Sequence, residues 1–179
     1  MSSVFYIASD KPLKERTNPH DKMVSVNEAV ELGYENIPEF MLKKDFDRNK
    51  PGVLLVGDRE VNFDIDTGVI TDGDFDDDFS IWLTEKSSGM RTDKAYCAIF
   101  ECIRLTTGRA EQLIDYIKEQ LSVTDEIELW HVCLDNEPEH KISRQEIRLG
   151  DLKSEDIFEL EQKKVYIEPC VDYCYRVVK

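Results

Sequence analysis

The sequence lacks a CxxC pair, a glycine-rich phosphate loop and any apolar run long enough to span a bilayer. Its five cysteines, Cys97, Cys102, Cys133, Cys170 and Cys174, are odd in number and scattered. That supports neither a disulfide framework nor a zinc ribbon, and reduced thiols in a cytoplasm are the expectation. None of GxGxxG, GxxxxGK(S/T) or GxSxG occurs among the 8 glycines, so no cofactor is implied. The most apolar internal segment, Ala95 to Leu105, is interrupted by Glu101 and Arg104 and is far short of a membrane span. The N-terminal residues carry no basic leader and read as a first strand rather than a signal peptide.

Cations are also scarce. Lys and Arg number 23 against 38 Asp and Glu, a formal net charge of −15 with a pI near 4.6. Such a surface repels phosphates and anionic lipid heads, which disfavours direct nucleic-acid binding and membrane association. Lys43-Lys44 and Lys163-Lys164 are only pairs and do not override this. With 179 residues, 41% of them hydrophobic and 34% charged, the chain is large enough to bury a core. The expectation is a single globular domain over residues 1–179.

What the sequence does have is a concentration of acid. Between Pro51 and Ser80 lie Asp58, Glu60, Asp64, Asp66, Asp72, Asp74, Asp76, Asp77 and Asp78, with Arg59 as the only cation. More than half of the net charge therefore sits in a sixth of the chain. A calcium loop fails on register: counting from Asp64 puts Val69 at the glycine position, and counting from Asp72 puts Asp77 there. No metal site is expected. The turn cluster Asp72, Asp74, Asp76, Asp77 and Asp78 reads as a solvated tip or as a surface that steers and orients a basic protein partner. An inhibitor or immunity-type binding protein works by such physics.

Periodicity gives the fold class. Val4 to Ala8 suits a strand, and Ser25-Val-Asn-Glu28 has capping-box spacing for a helix from Val26 to Leu32, with Gly33 to end it. Pro38 opens a second short helix through Lys44. Val53–Val56 reads as a compact strand, Val61–Ile65 and Phe79–Leu83 follow the two-residue period, and together they suggest an antiparallel meander with a reversal at Asp72-Gly73. Residues 94–135 read as strand, helix, strand. Both strands are apolar on either parity, and Ala110, Leu113, Ile114, Ile117 and Leu121 form one helical face. A short strand at Glu146–Leu149, a helix capped by Ser154 and a closing segment at Val165–Val178 complete the chain, with Pro169 suggesting an edge strand or a bulge. The class is α+β, with a mixed and largely antiparallel sheet and the main helix on one face.

One further constellation carries chemistry. His131, Cys133 and Asp135 share a strand parity, so they project from one face, and a histidine beside a cysteine can generate a thiolate nucleophile. Same-face residues lie about 6.5–7 Å apart, which is long for a Cys–His hydrogen bond. A small hydrolase or thiol enzyme at these residues is the alternative to a binding protein. Gly108 and Arg109 at the helix entrance offer a weaker signal for phosphate.

Overall fold

A computed structural model of the chain describes residues 2–57, 61–65, 68, 70–73, 75–87, 89–134, 141–163, 165 and 170–179. In chain order the elements are β1 (Ser2–Ser9), β2 (Asp21–Val24), α1 (Val26–Glu31), β3 (Leu54–Gly57), β4 (Asn62–Phe63), β5 (Ile70–Thr71) and β6 (Ser80–Thr84). There follow β7 (Tyr96–Glu101), α2 (Thr107–Leu121), β8 (Glu126–Leu134), β9 (Lys141–Arg148), α3 (Ser154–Gln162) and β10 (Val171–Val178). The chain is α+β, and it divides into two compact units, residues 18–73 and residues 1–17 with 74–179.

The larger unit is a six-stranded sheet in the order β6-β7-β1-β8-β10-β9. Every pairing is antiparallel except β9 with β10. The expected strand–helix–strand unit is present as β7, α2 and β8. These two strands run parallel to each other but do not pair, because β1 lies between them and is antiparallel to both. The adjacent parallel pair is instead β9 and β10, joined through α3. The closing strand is not an edge. β10 sits between β8 and β9, while β9 (Lys-Ile-Ser-Arg-Gln-Glu-Ile-Arg) takes the rim with all but Ile147 exposed. A charged strand suits an edge, since its side chains deter pairing with another chain. Pro169, which suggested otherwise, lies outside the described residues.

Both helices cover one face. Ala110, Leu113, Ile117 and Leu121 of α2 and Ile157 and Leu160 of α3 pack on Ile7, Ala98, Ile127, Leu129 and Val177. The helical and strand periods read from the sequence meet at this interface. Thr106 caps α2 by accepting the Arg109 amide at 3.2 Å. α3 starts one residue earlier than expected: the Lys153 amide donates to Asp156 Oδ2 at 2.8 Å, so Lys153 rather than Ser154 holds the cap position.

The opposite face is fastened by residues 90–94. The Arg91 amide donates to Tyr6 Oη at 2.9 Å, and Arg91 Nε donates to Asp172 Oδ2 at 3.1 Å. Glu128 Oε2 accepts from Thr92 Oγ1 at 2.5 Å and from Trp130 Nε1 at 2.8 Å. Tyr6 and Trp130 stack with ring centroids 5.8 Å apart. The polar strap thus meets the donors and acceptors of β1, β8 and β10, which burial would otherwise leave unpaired.

In the unit of residues 18–73, the capping box of α1 forms as expected, with Ser25 and Glu28 each accepting the other's backbone amide. Gly33 follows the helix at φ 76°, the left-handed position anticipated for it. The helix expected from Pro38 is a single 3-10 turn at Glu39–Leu42. Val24, Val26, Ala29, Leu54 and Val56 form this unit's own core. The meander does not form as one sheet. Its segments are strands, but β3 pairs with β2, β4 with β5, and β6 joins the large sheet through β7. Alternation marks a strand without naming its partner. Among the described residues no helix is long and apolar enough to cross a membrane.

The main-helix interface carries a direct test. Leu113→Ala should cost about 2–5 kcal/mol, and Val123→Ser, at a position 62% exposed, should cost within about 0.5 kcal/mol. Urea denaturation with an unchanged m-value reads both.

Candidate functional site

The acidic turn divides on inspection. Asp72 belongs to the smaller unit and is buried, with Gly73 after it at φ 79° providing the turn read from the sequence. Asp74 lies outside the described residues. Phe75–Asp78 belongs to the larger unit and forms a turn in which the Asp78 amide donates to the Phe75 carbonyl at 3.2 Å. Asp76 is exposed, Asp77 is half-buried, and Asp78 is buried.

The cause is Arg109. Its side chain is 0% exposed and extends from the first turn of α2 into the loop. Nε donates to the Phe75 carbonyl at 3.0 Å, Nη1 to the Arg104 carbonyl at 2.7 Å and Nη2 to Asp78 Oδ2 at 3.1 Å. A guanidinium taken out of water needs its five donors met, and these acceptors take three of them from two segments. Gly108 has a matching reason. A Cβ built there would stand 1.7 Å from Asp76 Oδ1, so the glycine lets the carboxylate close on the helix start. Acids at that end also meet the positive pole of the helix dipole. The helix entrance that suggested phosphate is therefore taken by the chain's own loop.

His131 and Cys133 share one face of β8, as alternation requires, but join different surroundings. Cys133 is fully buried with Val165 and Cys170, and its amide donates to Asp172 Oδ1 at 3.1 Å. Asp135 lies outside the described residues, so the third member of the constellation has no described place. His131 is level with Phe5 of β1 and Tyr173 of β10 across the sheet. Its Nδ1 lies 3.0 Å from the Leu160 carbonyl near the C-terminal end of α3. A carbonyl only accepts, so Nδ1 carries the proton and the neutral ring keeps its lone pair on Nε2. Burial pushes the His131 pKa below its ordinary value of 6.5, opposed by the Leu160 hydrogen bond and by the charges of Glu161 and Asp172.

His131 borders a cavity of about 650 Å³, within the larger unit. Phe5 and Phe100, with ring centroids 5.6 Å apart, form part of the wall, together with Ile157 and Glu161 of α3 and the segment Cys102–Leu105. Cys102 is the only half-buried thiol of the five; the other four are buried. The cysteine that shares a cavity with His131 is thus Cys102 rather than Cys133. The sequence held a usable signal for this: β7 and β8, as parallel strands flanking one helix, bring their C-terminal halves to the same end of the sheet. Among the described residues no group of three His, Cys, Asp or Glu side chains is arranged to hold a metal ion.

Two measurements follow from this geometry. Arg109→Ala leaves the Asp78 carboxylate buried without its cation and should cost about 3–5 kcal/mol, whereas Asp76→Asn should change stability by about 0.5 kcal/mol or less. Equal effects in urea denaturation would contradict the assignment. For His131, the folded state disfavours the proton, so the unfolded chain binds more protons below pH 6.5. Its stability contribution is complete above that value and falls as pH drops towards the lowered folded pKa. The His131 ring resonances should titrate below 6.5, and His131→Gln should flatten the pH dependence of stability in that window.

Compared with protein-family models, with curated proteins and with solved structures, the chain has no match.

Proposed function

We propose that the protein is a cytoplasmic binding protein of regulatory or inhibitory type, which docks a basic protein on the acidic outer surface of α2 and α3. The observation that carries this reading is the distribution of charge over the helix layer. Glu111, Asp115 and Glu119 on α2 and Asp151, Glu155, Glu159 and Glu161 on or before α3 are exposed. Among the described residues four lysines accompany them, and three are already engaged: Lys14 with Glu119, Lys118 with Asp115 and Lys163 with Glu159. Asp76, packed against Gly108, extends the acidic surface to the start of α2. An excess of acid over base on a rigid helical layer raises encounter rates with a basic partner and fixes its orientation. An inhibitor or immunity-type role fits this physics, and the acidic composition disfavours nucleic acid as the partner.

The compartment is inferred from chemistry. All five cysteines are thiols, which suits a reducing environment. The thiol-enzyme alternative gains little, because the Cys133 side chain is fully buried and no substrate reaches it in this conformation.

The test is capture of a basic partner by the immobilised protein at low ionic strength, with release as salt shortens the Debye length from about 30 Å to about 8 Å. A variant carrying Glu111→Gln, Asp115→Asn and Glu155→Gln should weaken the captured partner's affinity by about tenfold or more. The loop variant Asp77→Asn should leave it within about twofold. Affinity indifferent to both salt and the helix-face variant would sink the proposal.

A further inference from the structure

The cavity beside His131 has a chemistry that the acidic surface does not use. At about 650 Å³ it lies in the size range of small-molecule sites, and much of its wall is apolar, with Val4, Phe5, Ile99, Phe100, Leu105 and Ile157 contributing. His131 is 7% exposed and fixed by its Nδ1 hydrogen bond to the Leu160 carbonyl. The other ring nitrogen, Nε2, is not a buried orphan: it keeps some solvent access at the cavity wall, where it can accept a hydrogen bond. A ligand donor that replaces cavity water there gains the modest net worth of one hydrogen bond, up to about tenfold in affinity. The charged groups of the wall, Glu101, Glu161, Arg104 and Lys163, are two of each sign, so neither an anion nor a cation is selected by net charge.

We propose that this cavity binds a neutral, flat, mostly apolar molecule carrying one hydrogen-bond donor, of the class of a phenol, with the donor placed on His131 Nε2. The aromatic edge and face offered by Phe5 and Phe100 favour a planar ring over an alkyl chain of equal volume. The tautomer sets the polarity of recognition. Because Nδ1–H is committed to Leu160, Nε2 accepts, and an ether or ketone of the same shape gains nothing from it. Protonation of the ring reverses this: Nε2 then donates, and the preference for a donor is lost.

The experiment uses the whole protein with two probes of nearly the same shape, p-cresol and toluene, at about pH 7.5, where the ring is neutral. Binding is followed by the nitrogen resonances of the His131 ring and by the rate of Cys102 alkylation. p-Cresol should shift His131 Nε2 saturably, slow Cys102 alkylation, and bind about tenfold more tightly than toluene, a difference of about 1.4 kcal/mol. His131→Phe, which keeps a ring and removes the acceptor, should reduce that preference to about twofold or less. Should this variant fail to fold, Ile103→Trp at the rim, 37% exposed in the native chain, should weaken both probes together. Equal affinity of the two probes in the native protein overturns the proposal. So does a p-cresol response that leaves His131 unmoved, or no binding of either probe at millimolar concentration.

Discussion

A buried guanidinium admits few arrangements. Arg109 offers its donors in a rigid fork, and in the absence of water each must find an acceptor in the protein. The acceptors are the carbonyls of Phe75 and Arg104 and the Asp78 carboxylate, so one side chain fixes the turn before β6, the turn after β7 and the start of α2 relative to one another. The segment Cys102–Leu105, which borders the cavity, runs directly into this arrangement. Cavity shape and loop path thus share one polar anchor. Breaking the anchor removes a constraint on both, which a mutation on the exposed side of the loop does not.

The same anchor alters the meaning of the acidic stretch. Counted along the sequence, the aspartates form a block of charge. Folded, Asp78 is a counterion, Asp76 lies against a helix start, and Asp72 is buried in the other unit. A carboxylate satisfied by a buried cation contributes little field outside, because the partner's charge cancels it at short range. In the proposed docking mode the charge offered to a partner is carried mainly by the spaced acids of α2 and α3, with Asp76 at their edge. That surface is not a run of charge in the sequence: Glu111, Asp115 and Glu119 are four residues apart, as are Asp151, Glu155 and Glu159, and β8 and β9 lie between the two helices along the chain.

Legibility followed the range of the interaction. The α1 capping box, the apolar face of α2 and the parity that places His131 and Cys133 on the helix side of β8 are local patterns, and each was readable from its own segment. Strand partners were not. Val53–Val56 and Phe79–Leu83 both read as strands, yet one joins β2 and the other β7, a choice made by packing rather than by local pattern. β1 entered between β7 and β8 from more than 80 residues away, which no pattern within residues 94–135 announces. The site suffered the same way. His131 was visible as chemistry, but its companions in the cavity, Phe5, Cys102 and the end of α3, come together only through long-range pairing.

The central place of β1 has a consequence for how the protein is made. Its residues precede those of both neighbours, β7, beginning at Tyr96, and β8, ending at Leu134. Throughout synthesis of the intervening chain, both hydrogen-bonding edges of an apolar strand wait without their native partners. The unit of residues 18–73 has its own core and is complete in sequence before either partner exists. Native pairing of β1 therefore waits on residues more than 80 positions later, and non-local pairing of this kind is slow to close and leaves strand edges open to mispairing in the interval.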